Sequence, residues 1–183
     1  MKPLGRAATL IFGFAFVASA LAGDQPYAGQ QNRSIKALSD QELADYLQGH
    51  GMGLSKVAEL NHYPGPRHVL DQAKELGLSP EQLAKTRSIW EAMDVRARTL
   101  GEMIVAKESS LETLYSKGVA TASATGAAID EIARLPADLR YTHLSAHLAM
   151  RSVLSAAQVA KYDELRGYSD ATIAPAEHHR MHH

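Results

Sequence analysis

The sequence predicts an all-α protein built on a long antiparallel helical hairpin with short flanking helices. Three observations carry the prediction. Apolar residues recur at heptad spacing over two long stretches, and nothing alternates as a strand does. A short linker, "GVATASATG", joins those stretches. The phrase "LSPEQLAK", residues 78–85, returns as "LSAAQVAK" at 154–161, with helix-capping residues in the same places.

The elements follow in order. Residues 1–22 predict a signal peptide: Lys2 and Arg6 precede a short apolar run ending at Ala20-Leu21-Ala22, so export to the periplasm and cleavage near Ala22 are expected. Residues 23–38 are polar and predict a flexible leader. The helical domain spans 39–168. Its first helix opens on a capping box, Ser39 with Glu42, and stops at Gly49, Gly51 and Gly53. "LSKVAELN" predicts a second short helix, and Pro66 starts a third that ends at Gly77.

The first long helix starts after Ser79. Leu83, Trp90, Ala97, Ile104 and Leu111 form one seam, and Thr86, Met93, Leu100, Lys107 and Leu114 the other; it runs to about Lys117. In the second, Ile129, Pro136, His143 and Met150 share one register, and Ile132, Leu139, Ala146 and Val153 share another, with a kink expected at Pro136. A last helix runs from Ser155 to near Gly167. Residues 169–183 predict a disordered tail holding His178, His179, His182 and His183.

In the repeated phrase, Ser79 caps a helix and Gln82 reaches back to the cap; Ser155 and Gln158 do the same. Two phrases of the form L-S-x-x-Q, one opening a long hairpin and one following it, resemble the Spy/CpxP-like or LTxxQ-motif family of periplasmic proteins. That family is related to the zinc-resistance protein ZraP and the heavy-metal sensor CnrX. Both phrases here carry serine where threonine is frequent. The resemblance covers about residues 40–168. It implies a bent four-helix fold, usually a homodimer, and either ATP-independent chaperone or envelope-stress signalling work or metal sensing.

Composition narrows the classes. The net charge is −1, with no basic excess for nucleic acid. There is no cysteine, hence no disulfide and no thiolate site. No phosphate-binding glycine loop, nucleophile elbow or convincing carboxylate pair appears, so an enzyme is not expected.

Two features discriminate the remaining readings. Tyr141, Leu144 and Leu148 lie off the hairpin seam and predict an apolar surface for unfolded envelope proteins or for a membrane signalling partner; their plainer use is packing on a partner subunit or on the N-terminal helices. His143 and His147, in "HLSAH", share a helix face and can together hold zinc, nickel or cobalt. The resemblance implies further ligands near the N-terminal helices, for which His62 and His68 are the candidates, with Glu59 behind them. The plainer reading makes His143 a polar gap in the seam and His147 a surface residue. No metal is required by the chaperone reading.

Overall fold

The computed structural model describes residues 25–169; the signal-peptide prediction and the tail histidines lie outside them. Six α-helices follow one another there, and no strand occurs among the described residues. They are α1 (Asp40–Gln48), α2 (Lys56–Glu59), α3 (Pro66–Asp71), α4 (Pro80–Ser116), α5 (Ala122–Val153) and α6 (Ala156–Arg166). Residues 25–31 hold a turn in which the Gln30 amide donates to the Pro26 carbonyl.

The predicted leader is not loose at its end. Ile35 and Leu38 are buried, and the Lys36 backbone N–H and ammonium both reach the Glu112 carboxylate near the far end of α4. A polar stretch with two well-spaced apolar residues docks by those two residues, and average polarity hides that.

α4 has 37 residues and α5 has 32, so they are about 55 and 48 Å long. They run antiparallel: Tyr115 meets Thr125, Lys107 pairs with Glu131, and Gln82 reaches Val153. The seams read from the sequence are those that pack, with Ala97, Leu100, Ile104, Leu139, His143, Ala146 and Met150 all buried. Ile129 is the exception and is exposed. α5 begins at Ala122, inside the predicted linker, because the Thr121 hydroxyl accepts the Ala124 N–H as a cap. α5 continues through Pro136.

Two apolar clusters fill the domain. The central one joins Ala97, Leu100 and Ile104 to Leu135 and Leu139, with Tyr46 and Leu54 against it. Here α1 crosses α4 at backbone distance: a Cβ on Gly101 would lie 1.8 Å from the Tyr46 carbonyl oxygen. The proximal cluster joins Val69, Leu76, Met150, Leu154, Val159 and Tyr162. α3 ends at Asp71, earlier than predicted. The Ala73 N–H turns back to the Leu70 carbonyl, the chain tightens, and Leu76 is carried into this cluster before Gly77 closes the segment at φ +60°.

The repeated phrase has a tertiary meaning. Both capping boxes form as predicted. In addition the two glutamine amides pair reciprocally: Gln82 Nε2 donates to Gln158 Oε1 at 2.8 Å, and Gln158 Nε2 donates to Gln82 Oε1 at 3.0 Å. Each glutamine oxygen also accepts its own capping residue's N–H, from Ser79 and Ser155. One hydrogen-bonded unit therefore fixes the starts of α4 and α6 against each other.

Candidate functional site

His143 and His147 stand one turn apart on α5, and both are buried, at 4% and 6% exposure. The plainer reading of His147 as a surface residue is corrected by the loop Tyr63–Pro66, which covers it. Pro64 and Pro66 are fully buried, so the loop is stiff, and it holds the Tyr63 carbonyl 2.7 Å from His147 Nδ1. A carbonyl only accepts, so Nδ1 carries a proton, and the tautomer this selects is the one whose Nε2 has a free lone pair. Gly65 sits over that ring. A Cβ there would come within 3.0 Å of Cε1 and 3.3 Å of Nε2. Glycine thus leaves the Cε1–Nε2 edge of His147 free of a side chain at this position.

His143 Nε2 is buried and has no hydrogen-bond partner. Burial lowers the His143 pKa below its ordinary 6.5, with a smaller push from His147, against a pull from Asp94. Burial also lowers that of His68, followed by the charge of Arg166. Both rings are kept neutral at physiological pH, the state in which imidazole binds metal.

His68, on α3, joins His143 and His147 along one cavity of about 460 Å³, whose wall also carries His50, Trp90 and Asp94. The Arg67 guanidinium stacks 5.6 Å above the Trp90 ring. On its other side, the wall formed by His68 and His147 faces a second cleft of about 330 Å³, bordered by Glu59, Arg166 and Tyr168.

Glu59 ties this second cleft together. Its Oε1 accepts from Tyr162 Oη at 2.5 Å and from Tyr168 Oη at 3.3 Å, and Arg166 Nε lies within 3.3 Å. Its Oε2 lies 3.6 Å from His147 Nδ1. The Gly65 N–H donates to the Tyr162 oxygen, whose pKa is pushed up by burial and by Glu59.

His62 does not join this group. It adopts a left-handed backbone, φ +65°, and its Nδ1 pairs with Asp163 Oδ2 at 2.7 Å. Among the described residues no three His, Asp or Glu side chains converge closely enough to hold an ion as they stand. His50 Nδ1 pairs with Asp45 Oδ1 at 2.8 Å.

The predicted apolar stripe divides. Leu144 and Leu148 line a groove with Val57, Ala58 and Tyr63, so they face the N-terminal segment. Tyr141 instead borders the opposite groove between α4 and α5, beside Ile89, Met93 and Ala146. Tyr141 is 70% and Leu148 58% exposed.

Sequence reasoning missed Gly65, Tyr162, Arg166 and Tyr168. A signal was present: in "VAKYDELRGY" Val159, Tyr162 and Arg166 recur at three- and four-residue spacing on α6. No family model, no curated protein and no solved structure matches the chain.

Proposed function

We propose that the protein is an exported, non-enzymatic helical protein of the Spy/CpxP-like kind that takes up a divalent transition ion, zinc, nickel or cobalt, in the histidine cavity. The observation that carries this reading is His147. Its Nδ1–H is committed to a backbone carbonyl, the arrangement that orients and fixes the tautomer of ligating histidines, and the tautomer this selects has a free lone pair on Nε2, beside a glycine. One turn away, His143 presents a buried Nε2 with no partner. His68 stands on the same cavity wall. A bound ion would supply charge and cross-linking between α3 and α5, with no reaction at the site.

The test is thermal. Zn²⁺ should raise the melting midpoint of the mature chain by mass action. His143→Ala and His147→Ala should each remove most of the rise, whereas Leu144→Asp should not. An equal rise in wild type and both histidine variants would refute the reading.

A second reading has its own observation. Val57 and Leu148 are each more than half exposed in the groove they share with Leu144. This is an apolar surface suited to unfolded envelope proteins, to a membrane signalling partner or to a second copy in a homodimer. Leu144→Asp with Leu148→Asp should then abolish suppression of client aggregation with helix content kept, and unchanged suppression would reject it. Sedimentation at micromolar concentration tests the dimer.

A further inference from the structure

We propose that the histidine cavity takes up its ion as a chelate with a small carboxylate, the ion on His143 and His147 and the carboxylate on Arg67. The inference rests on the metal reading above and adds to it the class of molecule that accompanies the ion.

Three features of the cavity call for the same partner. The first is a shortage of donors. His143 and His147 supply two imidazoles from one face of α5, and His68 stands on the same wall. Among the described residues no three His, Asp or Glu side chains converge on one point, while structural zinc sites are almost always four-coordinate. Imidazoles alone leave coordination positions open, and a chelator fills more than one of them at once.

The second is a surplus of positive charge. The wall carries two guanidiniums, Arg67 and Arg98, and one carboxylate, Asp94. That carboxylate is already spent, since Asp94 Oδ2 accepts from Arg98 Nε at 2.8 Å. Arg67 finds its acid, Asp71, outside the cavity wall at 3.2 Å; both side chains of that pair are more than half exposed, so the pairing is weak and screened. Glu59 borders the neighbouring cleft, where it lies on the Nδ1 side of His147 and holds Tyr162, Tyr168 and Arg166. A bare divalent ion would add its positive charge to a wall with no unspent acid. A carboxylate carried on the ion offsets part of that charge and offers Arg67 the planar, two-oxygen partner that a guanidinium fits best.

The third is a surplus of room. The cavity holds about 460 Å³, within the roughly 300–1,000 Å³ of small-molecule pockets and far above the ~30 Å³ share of one water. An ion seated directly on two imidazoles leaves most of it unused. Trp90 lines the same space, with the Arg67 guanidinium 5.6 Å above its ring. The stack holds the guanidinium in place, and the indole offers the chelator's carbon skeleton an apolar surface. More protein ligands would answer only the first of the three features. One small anionic chelator answers all of them.

Trp90 also provides the readout. It is the chain's one tryptophan, so quenching of its fluorescence reports an ion in this cavity. The full mature chain is titrated with Ni²⁺ alone, with Ni²⁺ and an equal amount of glycine, and with Ni²⁺ and an equal amount of citrate. Wild type is compared with Arg67→Gln and His143→Ala. Every variant keeps the rest of the chain, so a difference between them belongs to the cavity.

In wild type, one of the two chelates should quench at a midpoint about tenfold lower than Ni²⁺ alone, the gain from one charge-assisted bidentate contact. Which chelator gives the gain tells an amino-acid type from a polycarboxylate. Arg67→Gln should abolish the gain, while its midpoint in Ni²⁺ alone should not rise, because removing a positive charge does not weaken cation binding. His143→Ala should weaken every titration. The sign of the chelator effect decides the matter. A site built for the bare ion competes with the chelator, so midpoints raised or unchanged by both glycine and citrate overturn the inference and leave the metal reading standing. A gain that survives Arg67→Gln overturns it too, since the carboxylate would then lie elsewhere. Quenching indifferent to His143→Ala, or no quenching at all, removes the metal reading and the inference with it.

Discussion

At the middle of the hairpin, Ala97, Leu100 and Ile104 meet Leu135 and Leu139, and α1 lies on Gly101 with no side chain between. At the proximal end, Val69, Met150 and Tyr162 share their space with Glu59, His147 and Arg166. The middle has one close-packed arrangement, and a change of volume there is felt at once. The proximal end is held by hydrogen bonds whose members have second choices: Tyr162 accepts from Gly65 while it donates to Glu59, and His143 Nε2 has no partner at all. Apolar close packing and polar hydrogen bonding are thus separated along one pair of helices.

The sharpest way to break the comparison is Gly101→Ala. Alanine is the better helix former by about 1 kcal/mol. Its methyl, however, would stand 1.8 Å from the Tyr46 carbonyl oxygen, which is backbone and cannot swing aside. Displacing α1 should cost about 3 kcal/mol net, read as a lower urea midpoint. A stabilised variant would show that α1 does not lie where the central core places it.

Next in size is the amide pair at the proximal end. Gln82→Ala loses a cap, a bond to the Val153 carbonyl and both bonds to Gln158. Each single alanine variant should cost about 2 kcal/mol, and the double variant clearly less than twice that, because the reciprocal bonds are lost once. Strict additivity would mean that the two phrases act as separate caps. Ser79→Ala and Ser155→Ala remove only local cap bonds and should cost about 1 kcal/mol each.

The two regions also differ in how much of them could be read from sequence. The central core was legible because heptad spacing is a property of one helix: Ala97, Leu100, Ile104 and Leu139 stand where their registers put them. Leu135 was missed because Pro136 drew the register to itself. The capping boxes were legible for the same local reason, while the Gln82–Gln158 bond between them was not, since it joins residues 76 apart. At the site, the His143–His147 spacing was local and visible. That Tyr63 would bind His147, that Gly65 would sit over its ring, and that His62 would turn to Asp163 depend on how a proline-stiffened loop folds over α5. No periodicity encodes that.

A smaller effect tests the proximal end by pH. Burial holds the pKa of His143 and His68 below their ordinary 6.5, so the unfolded chain takes up protons that the folded one refuses. In the metal-free protein their contribution should be complete above about pH 6.5 and lost as pH falls from there through the lowered folded values. The melting midpoint should drop over that window by a few degrees. His143→Gln with His68→Gln should flatten the slope. A wild-type midpoint constant down to pH 5 would show that the two rings are not buried as neutral groups.

The smallest effect expected is at the far end of α4, where Lys36 meets Glu112. Lys36 is half exposed, and an ion pair in that setting loses in side-chain entropy and screening most of what it gains by attraction. The Ile35 and Leu38 side chains on either side of it are buried, and removing their apolar surface from water stabilises the docked leader more than the ion pair does. Lys36→Ala should therefore leave the urea midpoint almost unchanged, and what change there is should vanish in high salt. Ile35→Ala should lower it plainly. If instead Lys36→Ala were the more damaging of the two, the leader would be held by charge, and this end of the hairpin would belong with the polar proximal end rather than with the apolar middle.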